Sequence, residues 1–171
     1  MSSPLLESLR QLVEEDLDGV TSTPDGLRAV ADTRYGEVTV RIDLDEDEQD
    51  EDGGAVRVSV RVPPPAGAGQ EFLLFCLATN TQFWGVKIGL EDDGMLSVHA
   101  DLDCEDPSQA DELLASDVLD RVETILQLLD EDLVDYALAH GLGTPAQRAR
   151  WERRRPESLG EDEADDDDDE V

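Results

Sequence analysis

Residues 86–102, VKIGLEDDGMLSVHADL, contain two alternating segments on either side of an Asp93-Gly94 pair. Polar residues or glycine fill the positions between the apolar residues of each segment. Apolar residues occupy every second position: Val86, Ile88 and Leu90 in the first segment, and Leu96, Val98, Ala100 and Leu102 in the second. A period of two is typical of a strand with one buried face, and Asp-Gly is a strong hairpin signal. The stretch therefore predicts an antiparallel hairpin with one face in solvent.

The same alternation occurs twice upstream of this hairpin. Val38, Val40, Ile42 and Leu44 alternate with polar residues, and Val56, Val58, Val60 and Val62 do so after an acidic run at 43–54 that ends in two glycines. This run is typical of a long hairpin loop. A short apolar segment at 27–31, after the turn residues 23–26, predicts one further strand.

Apolar residues recur at helical spacing in three other parts of the chain. Ser3 and Pro4 predict the start of a first helix, which ends before Gly19, and residues 71–78 predict a second helix. A third helix is predicted to begin at Pro107 and Ser108, to be interrupted near Ser116 and to end at 140–141. The predicted order is α-β-β-β-α-β-β-α. It indicates an α+β fold, an antiparallel sheet of about five strands with helices packed on one face.

The chain has 171 residues with a formal net charge of −31, and it has no apolar run long enough to span a bilayer. Without a signal sequence and with two cysteines, Cys76 and Cys104, we expect a cytoplasmic protein that does not bind membranes. We expect one domain at 1–142, an Arg-rich connector at 143–156 and an acidic, disordered tail at 157–171. Adaptation to high salt, or solubility alone, would also explain the charge.

No catalytic or cofactor motif is present in the sequence. His99 and His140 are far apart, Cys76 lies in an apolar segment, and the acidic run at 43–54 lacks the spacing of a calcium-binding loop. We therefore expect a non-enzymatic protein with no catalytic residues, no metal and no cofactor.

Two groups of residues are candidates for binding a partner. The first, Arg148, Arg150, Trp151, Arg153, Arg154 and Arg155, combines guanidinium groups with an indole, which suits nucleic acid, although the tail that follows competes for the same cations. The second group is apolar: Phe83, Trp84, Leu128 and Tyr136. The helix at 118–138 is apolar around more of its circumference than one sheet face needs, so it predicts a dimer or a partner groove.

Residues 72–80, FLLFCLATN, and the stretch 83–102 resemble the YbjN-like family, whose fold is similar to that of type III secretion chaperones of the CesT class. The shared pattern is an apolar helix ending in Asn, an aromatic-Gly step and an Asp-Gly hairpin before a long amphipathic helix. The resemblance implies a small acidic protein, often a homodimer, that binds another protein and has no catalytic residues. The acidic insertion at 43–54 and the extension at 148–171 depart from that pattern.

The leading hypothesis is a chaperone-like or cofactor-like interaction module that binds a basic protein client, in one version a DNA-binding protein, and that forms a homodimer. Its negative charge would steer basic partners toward it. Direct nucleic-acid binding through Arg148–Arg155, which we expect less, and an acidic domain adapted to high salt are the alternatives.

Overall fold

The computed structural model describes residues 4–46, 54–104 and 112–153, and it confirms the predicted α+β fold. In chain order the elements are α1 Pro4–Asp16, β1 Asp18–Thr23, β2 Gly26–Asp32, β3 Glu37–Glu46, β4 Gly54–Val62, α2 Gln70–Thr79, β5 Val86–Leu90, β6 Leu96–Cys104, α3 Glu112–Gln127, a π-helical segment Leu128–Leu133, α4 Val134–Ala139 and α5 Pro145–Arg153. The predicted Pro107 helix start, the middle of the acidic run and the tail at 157–171 lie outside the described residues.

Six strands form one antiparallel sheet in the order β1-β2-β3-β4-β6-β5. Strand β1 is the sixth, where the sequence predicted five, and its residues are mostly exposed. It lies at the edge of the sheet, pairs only with β2 among the described strands, and its register shifts between Asp18 and Thr21. An edge strand of this kind buries little apolar surface, so it carries no alternating pattern by which the sequence could reveal it.

The core lies between one face of the sheet and the helices. Most of the alternating apolar residues of β2, β3, β4, β5 and β6 are buried. Leu5, Leu9 and Val13 of α1 and Val118, Val122 and Ile125 of α3 are buried in the same cluster. Helical spacing places these residues on the inner side of each helix. The charged residues of the strands consequently lie on the other face of the sheet, which we call the open face.

The third helix differs from its prediction in one respect. Helix α3 continues through Ser116, which is exposed, so the interruption predicted at that residue is wrong. An exposed serine has space for its side chain in solvent and does not force a break. The irregular part of the helix is instead the π-helical segment at Leu128–Leu133.

A buried arginine in the turn between β2 and β3 contacts this irregular segment. Arg34 is 3% exposed, and its Nη1 donates to the main-chain oxygen of Asp130 and to Oδ1 of Asp135, both at 3.0 Å. Its Nε donates to the main-chain oxygen of Trp151 at 3.2 Å, and its main-chain N–H donates to the Asp130 carboxylate. One side chain therefore connects a sheet turn to the π segment, α4 and α5.

Helix α5 lies within the predicted connector at 143–156. Its Trp151 is fully buried and packs with Val134 and Ala137 of α4, and its ring lies 5.8 Å from that of Tyr35. Gly143 has a φ of +88°, and a Cβ at this position would lie 2.6 Å from the Trp151 ring. The close approach admits only glycine there. Packing of this kind makes α5 part of the folded body.

The two tryptophans of the chain provide a matched test of this packing. We expect Trp151→Ala to lower the free energy of unfolding by about 3–5 kcal/mol, because it removes a buried indole and leaves a cavity. Trp84→Ala removes the same group from an 87% exposed position and should change stability by less than about 0.5 kcal/mol. Urea unfolding followed by circular dichroism measures both. Equal effects would contradict the burial of Trp151.

Candidate interaction surfaces

The structure separates the sequence-predicted apolar residues into three groups. Trp84 is exposed, Phe83 and Tyr136 are half-buried, and Leu128 and Trp151 are buried in the chain itself. Leu128 and Trp151 therefore cannot contact a partner while the chain is folded, and their prediction as binding residues is corrected. Both pack against the chain's own apolar residues, which is the packing that an apolar side chain near an amphipathic helix commonly finds.

The broad apolar circumference at 118–138 also has partners within the chain. Tyr136 stacks on Phe75 of α2 with ring centroids 4.0 Å apart, and on His140 at 3.9 Å. Trp151 of α5 covers Val134 and Ala137 on the same helical region. The second contact that the sequence predicted for this helix is thus made by α2 and α5, and it needs no dimer.

The described arginines of α5 contact the chain itself. Arg148 Nη1 donates to the main-chain oxygen of Gly141 at 2.8 Å, and Arg153 Nε donates to that of Ala149 at 3.0 Å. Arg150 Nη2 lies 3.3 Å from Oδ1 of Asp32. Arg154 and Arg155 lie outside the described residues. With Trp151 buried between these arginines, the predicted combination of cations and a base-stacking indole is not present on the surface of α5.

An exposed apolar surface lies on α2 and on the turn that follows it. Leu74 is 56% exposed and Leu77 is 60% exposed, and their spacing of three residues places them side by side on the helix. Trp84, in the turn before β5, is 87% exposed. We call Leu74, Leu77 and Trp84 the Trp84 patch. The two leucines were missed because α2 is apolar on all sides, which predicts a core helix.

The main chain beneath Trp84 is fixed by Arg121 of α3. Arg121 Nη1 donates to the Trp84 carbonyl oxygen at 3.0 Å. The next residue, Gly85, has a φ of +77°, and a Cβ there would lie 3.2 Å from the Arg121 guanidinium carbon. A left-handed glycine and a charged donor therefore position the turn while its indole extends into solvent.

The edge strand beside this turn is covered at one residue. Asn80 Nδ2 donates to the Ile88 oxygen at 2.9 Å, and the Ile88 N–H donates to Asn80 Oδ1 at 2.6 Å. The side-chain amide of Asn80 thus occupies the hydrogen-bonding groups that a further strand would use at Ile88. Natural sheets commonly protect their edges in such ways. This contact opposes dimerisation by strand addition at the β5 edge.

The open face of the sheet carries a line of cations that no single segment of sequence reveals. The strand registers place Arg28 opposite Arg41, Arg41 opposite Ser59, Ser59 opposite His99, and His99 opposite Lys87. We call Arg28, Arg41, Ser59, His99 and Lys87 the cation row. It crosses five of the six strands at right angles to their direction, in a chain whose formal net charge is −31.

The cation row differs from the other cations of the open face in its partners. Arg57 pairs with Asp101 at 2.6 Å, and Arg61 pairs with Glu91 at 2.7 Å and Asp93 at 2.5 Å. For Arg28, Arg41 and Lys87, no ion pair occurs with any of the side chains that the structure describes. Three unpaired cations in register form the second candidate surface.

The surroundings of His99, the histidine of the cation row, shift its pKa. Burial lowers the pKa of His99 below its ordinary value of 6.5, and the positive charges of Arg57 and Lys87 lower it further, whereas Asp101 raises it. The unfolded chain therefore binds a proton at this residue more tightly than the folded one. Its contribution to the free energy of unfolding rises as the pH increases from below the lowered pKa to above 6.5, and it is lost as the pH falls.

Two further features of the described structure are the buried thiol of Cys76 and an acidic cleft. Burial raises the pKa of the Cys76 thiol to about 11, which keeps it protonated at neutral pH. A cleft of about 340 Å³ between the end of α1 and the π segment is lined by Asp16, Asp18 and other acidic residues.

No group of three or more metal-ligating side chains occurs within residues 4–46, 54–104 and 112–153. Nor do the helices in those ranges include one with the length and apolarity of a membrane span.

Replacing Lys87 tests the electrostatics of the cation row. We expect Lys87→Gln to raise the pKa of His99, because it removes a positive charge that opposes the imidazolium ion, and Asp101→Asn to lower it. The two histidine ring signals, followed by NMR as the pH is changed, measure both effects, and His140 serves as an internal control. An unchanged His99 pKa in both variants would show that these charges do not reach the ring.

Comparisons with known proteins give a structural likeness. No protein-family model matches the chain, and the search of curated proteins found no match. The chain is similar to the crystal structure of YbjN from E. coli, described as a candidate transcription regulator, with 19% sequence identity and a TM-score of 0.47 over 82% of this chain and 96% of that one. The likeness concerns the fold alone, and the similarity to type III secretion chaperones stays a prediction.

Proposed function

We propose that this protein is a non-enzymatic interaction module that binds a protein partner at the Trp84 patch. The observation that supports the proposal is the exposure of Trp84, which is 87% accessible although the main chain beneath it is held by Arg121. Large apolar side chains exposed together mark interaction sites more often than isolated ones do. Trp84, Leu74 and Leu77 are three of the five large apolar side chains that the described residues leave exposed, and they lie on one helix and the turn that follows it.

The energetics of binding favour this residue as an anchor. Tryptophan is among the residues most enriched at the centres of interfaces, where its large area is removed from water. Binding also costs the freedom of the groups that become ordered. Because the Arg121 hydrogen bond and Gly85 already position the turn, less main-chain freedom remains to be lost when Trp84 is buried.

The charge of the chain favours a basic partner. A formal net charge of −31 accelerates encounters with positively charged proteins and slows encounters with nucleic acid. A protein with an exposed nucleic-acid-binding surface has this chemistry, so it is the version of the partner that we favour. The same charge opposes the close approach of two copies, so a homodimer through the Trp84 patch is the competing outcome.

The test is capture of partners from a lysate of the source organism by the full chain and two variants. We expect Trp84→Ala to lose the partner that the unaltered chain retains, because it removes the anchor. Leu90→Ala truncates a 52% exposed residue outside the patch and is the matched control, which should retain the partner. Purified partner titrated by calorimetry should then bind Trp84→Ala about 30-fold more weakly, the effect of losing about 2 kcal/mol at a binding hot spot.

Two further measurements, of the salt dependence of retention and of the oligomeric state, complete this experiment. Retention should weaken between about 0.1 M and 1 M salt, because the Debye length falls from about 10 Å to about 3 Å. Light scattering on the full chain and on Trp84→Ala detects the competing homodimer. Unchanged partner binding by Trp84→Ala, or a dimer that only the unaltered chain forms, would overturn the proposal.

A further inference from the structure

The cation row lies outside the Trp84 patch and suggests a second interaction. We propose that the acidic C-terminal segment at 157–171 of the same chain docks across the cation row on the open face. The occupant is this chain's own segment, so the inference is independent of the partner proposed above. Charge complementarity, reach and length support it in turn.

The charges of the row call for an anionic occupant. Arg28 and Arg41 lie directly opposite each other on neighbouring strands, an arrangement of like charges that destabilises a sheet unless an anion lies between or above them. Lys87 ends the row on β5. The segment at 157–171 contains Glu157, the acidic group at 161–163 and six consecutive acidic residues at 165–170. The block at 165–170 is the longest uninterrupted run of acidic residues in the sequence.

The described chain ends where this segment can reach the row. Arg150 of α5 contacts Asp32 in β2, and Arg28 lies four residues further along the same strand, about 13 Å away at the rise of a strand. Seven residues separate Arg153, the last described residue, from Glu161, and the eight steps along the chain between the two span up to about 27 Å when extended. The acidic residues beyond Glu161 can therefore lie over the row.

The length of the acidic block matches that of the row. From β2 to β5 the row makes four steps between adjacent strands, which amount to about 19 Å at the usual strand spacing. Six extended residues, Asp165–Glu170, span about 20 Å. An extended acidic block laid across the strands would thus bring carboxylates to Arg28, Arg41 and Lys87 together.

The acidic run between β3 and β4 is a poorer candidate for the same position. Glu46 pairs with Gly54, so the seven residues between them start and end at adjacent strands, and the middle of that stretch reaches at most about 12 Å. Arg41 and Ser59 lie five residues back along the strands, about 17 Å away. Contour length therefore favours the C-terminal segment.

A spin label on the full chain tests this docking. Ala164→Cys provides a labelling site within the acidic segment, and the native Cys76 and Cys104 are each 4% exposed and react slowly. We expect the label to broaden the NMR amide signals of Arg28, Arg41, Ser59, His99 and Lys87. The broadening should be lost at about 1 M salt, where charges are screened beyond about 3 Å. It should also be lost when the six residues at 165–170 are changed to Asn and Gln.

Two triple variants distinguish the row from the arginines of the connector. Arg28→Gln, Arg41→Gln and Lys87→Gln together should abolish the broadening on the open face. Arg153→Gln, Arg154→Gln and Arg155→Gln remove the same charge and should leave it in place. The dispersion of the amide spectrum confirms that each variant is folded.

Four outcomes would overturn the proposal. Broadening confined to α5 would show that the segment folds back on its adjacent arginines, and no broadening would show that it does not dock. Broadening that appears only when labelled chains are mixed with isotope-enriched, unlabelled ones would assign the segment to a second copy. Binding of an oligothymidine probe to the row, with equal affinity in the unaltered and neutralised chains, would identify the row as a nucleic-acid surface that the segment leaves open.

Discussion

One-sided burial of an antiparallel sheet is the constraint from which the surfaces of this protein follow. Removing the alternating Val, Ile and Leu side chains from water supplies most of the driving force for folding. Because side chains alternate strictly, the charged residues of the same strands are forced onto the open face. The strand registers then align Arg28, Arg41 and Lys87, so the cation row results from where apolar residues must go as much as from the cations themselves.

A second constraint holds the helices at one end of that sheet. The Arg34 guanidinium is buried, and a buried charge is tolerated only when hydrogen-bond acceptors surround it. Asp135 accepts from Nη1 with its carboxylate, and the main-chain oxygens of Asp130 and Trp151 accept from Nη1 and Nε. π-helical segments are uncommon, and here one presents the Asp130 oxygen to the arginine. Arg34 thereby couples the turn between β2 and β3 to α5, the helix from which the acidic segment departs.

Patterns within short stretches of sequence predicted the elements whose burial depends on those stretches alone. Alternation with period two identified β3, β4, β5 and β6, because each buries one face, but it could not reveal β1, which buries almost nothing. Trp151 was predicted to be on the surface because its neighbours in sequence are arginines, whereas its burial depends on Gly143 and α4, which only the folded chain brings to it. The cation row requires the register of five strands, and no single stretch of sequence contains that information.

The two proposed interactions involve residues that are close in sequence around β5. Lys87, the end of the cation row, follows Trp84 by three residues, and Asn80 ties the end of α2 to Ile88 between them. A basic partner seated on the Trp84 patch would place its own cations near the acidic segment and compete with the row for it. Thermodynamic linkage then requires that release of the segment and binding of the partner change each other by the same factor. The segment would thus act as a charge that either the row or the partner holds, which gives this very acidic chain a way to couple its two faces.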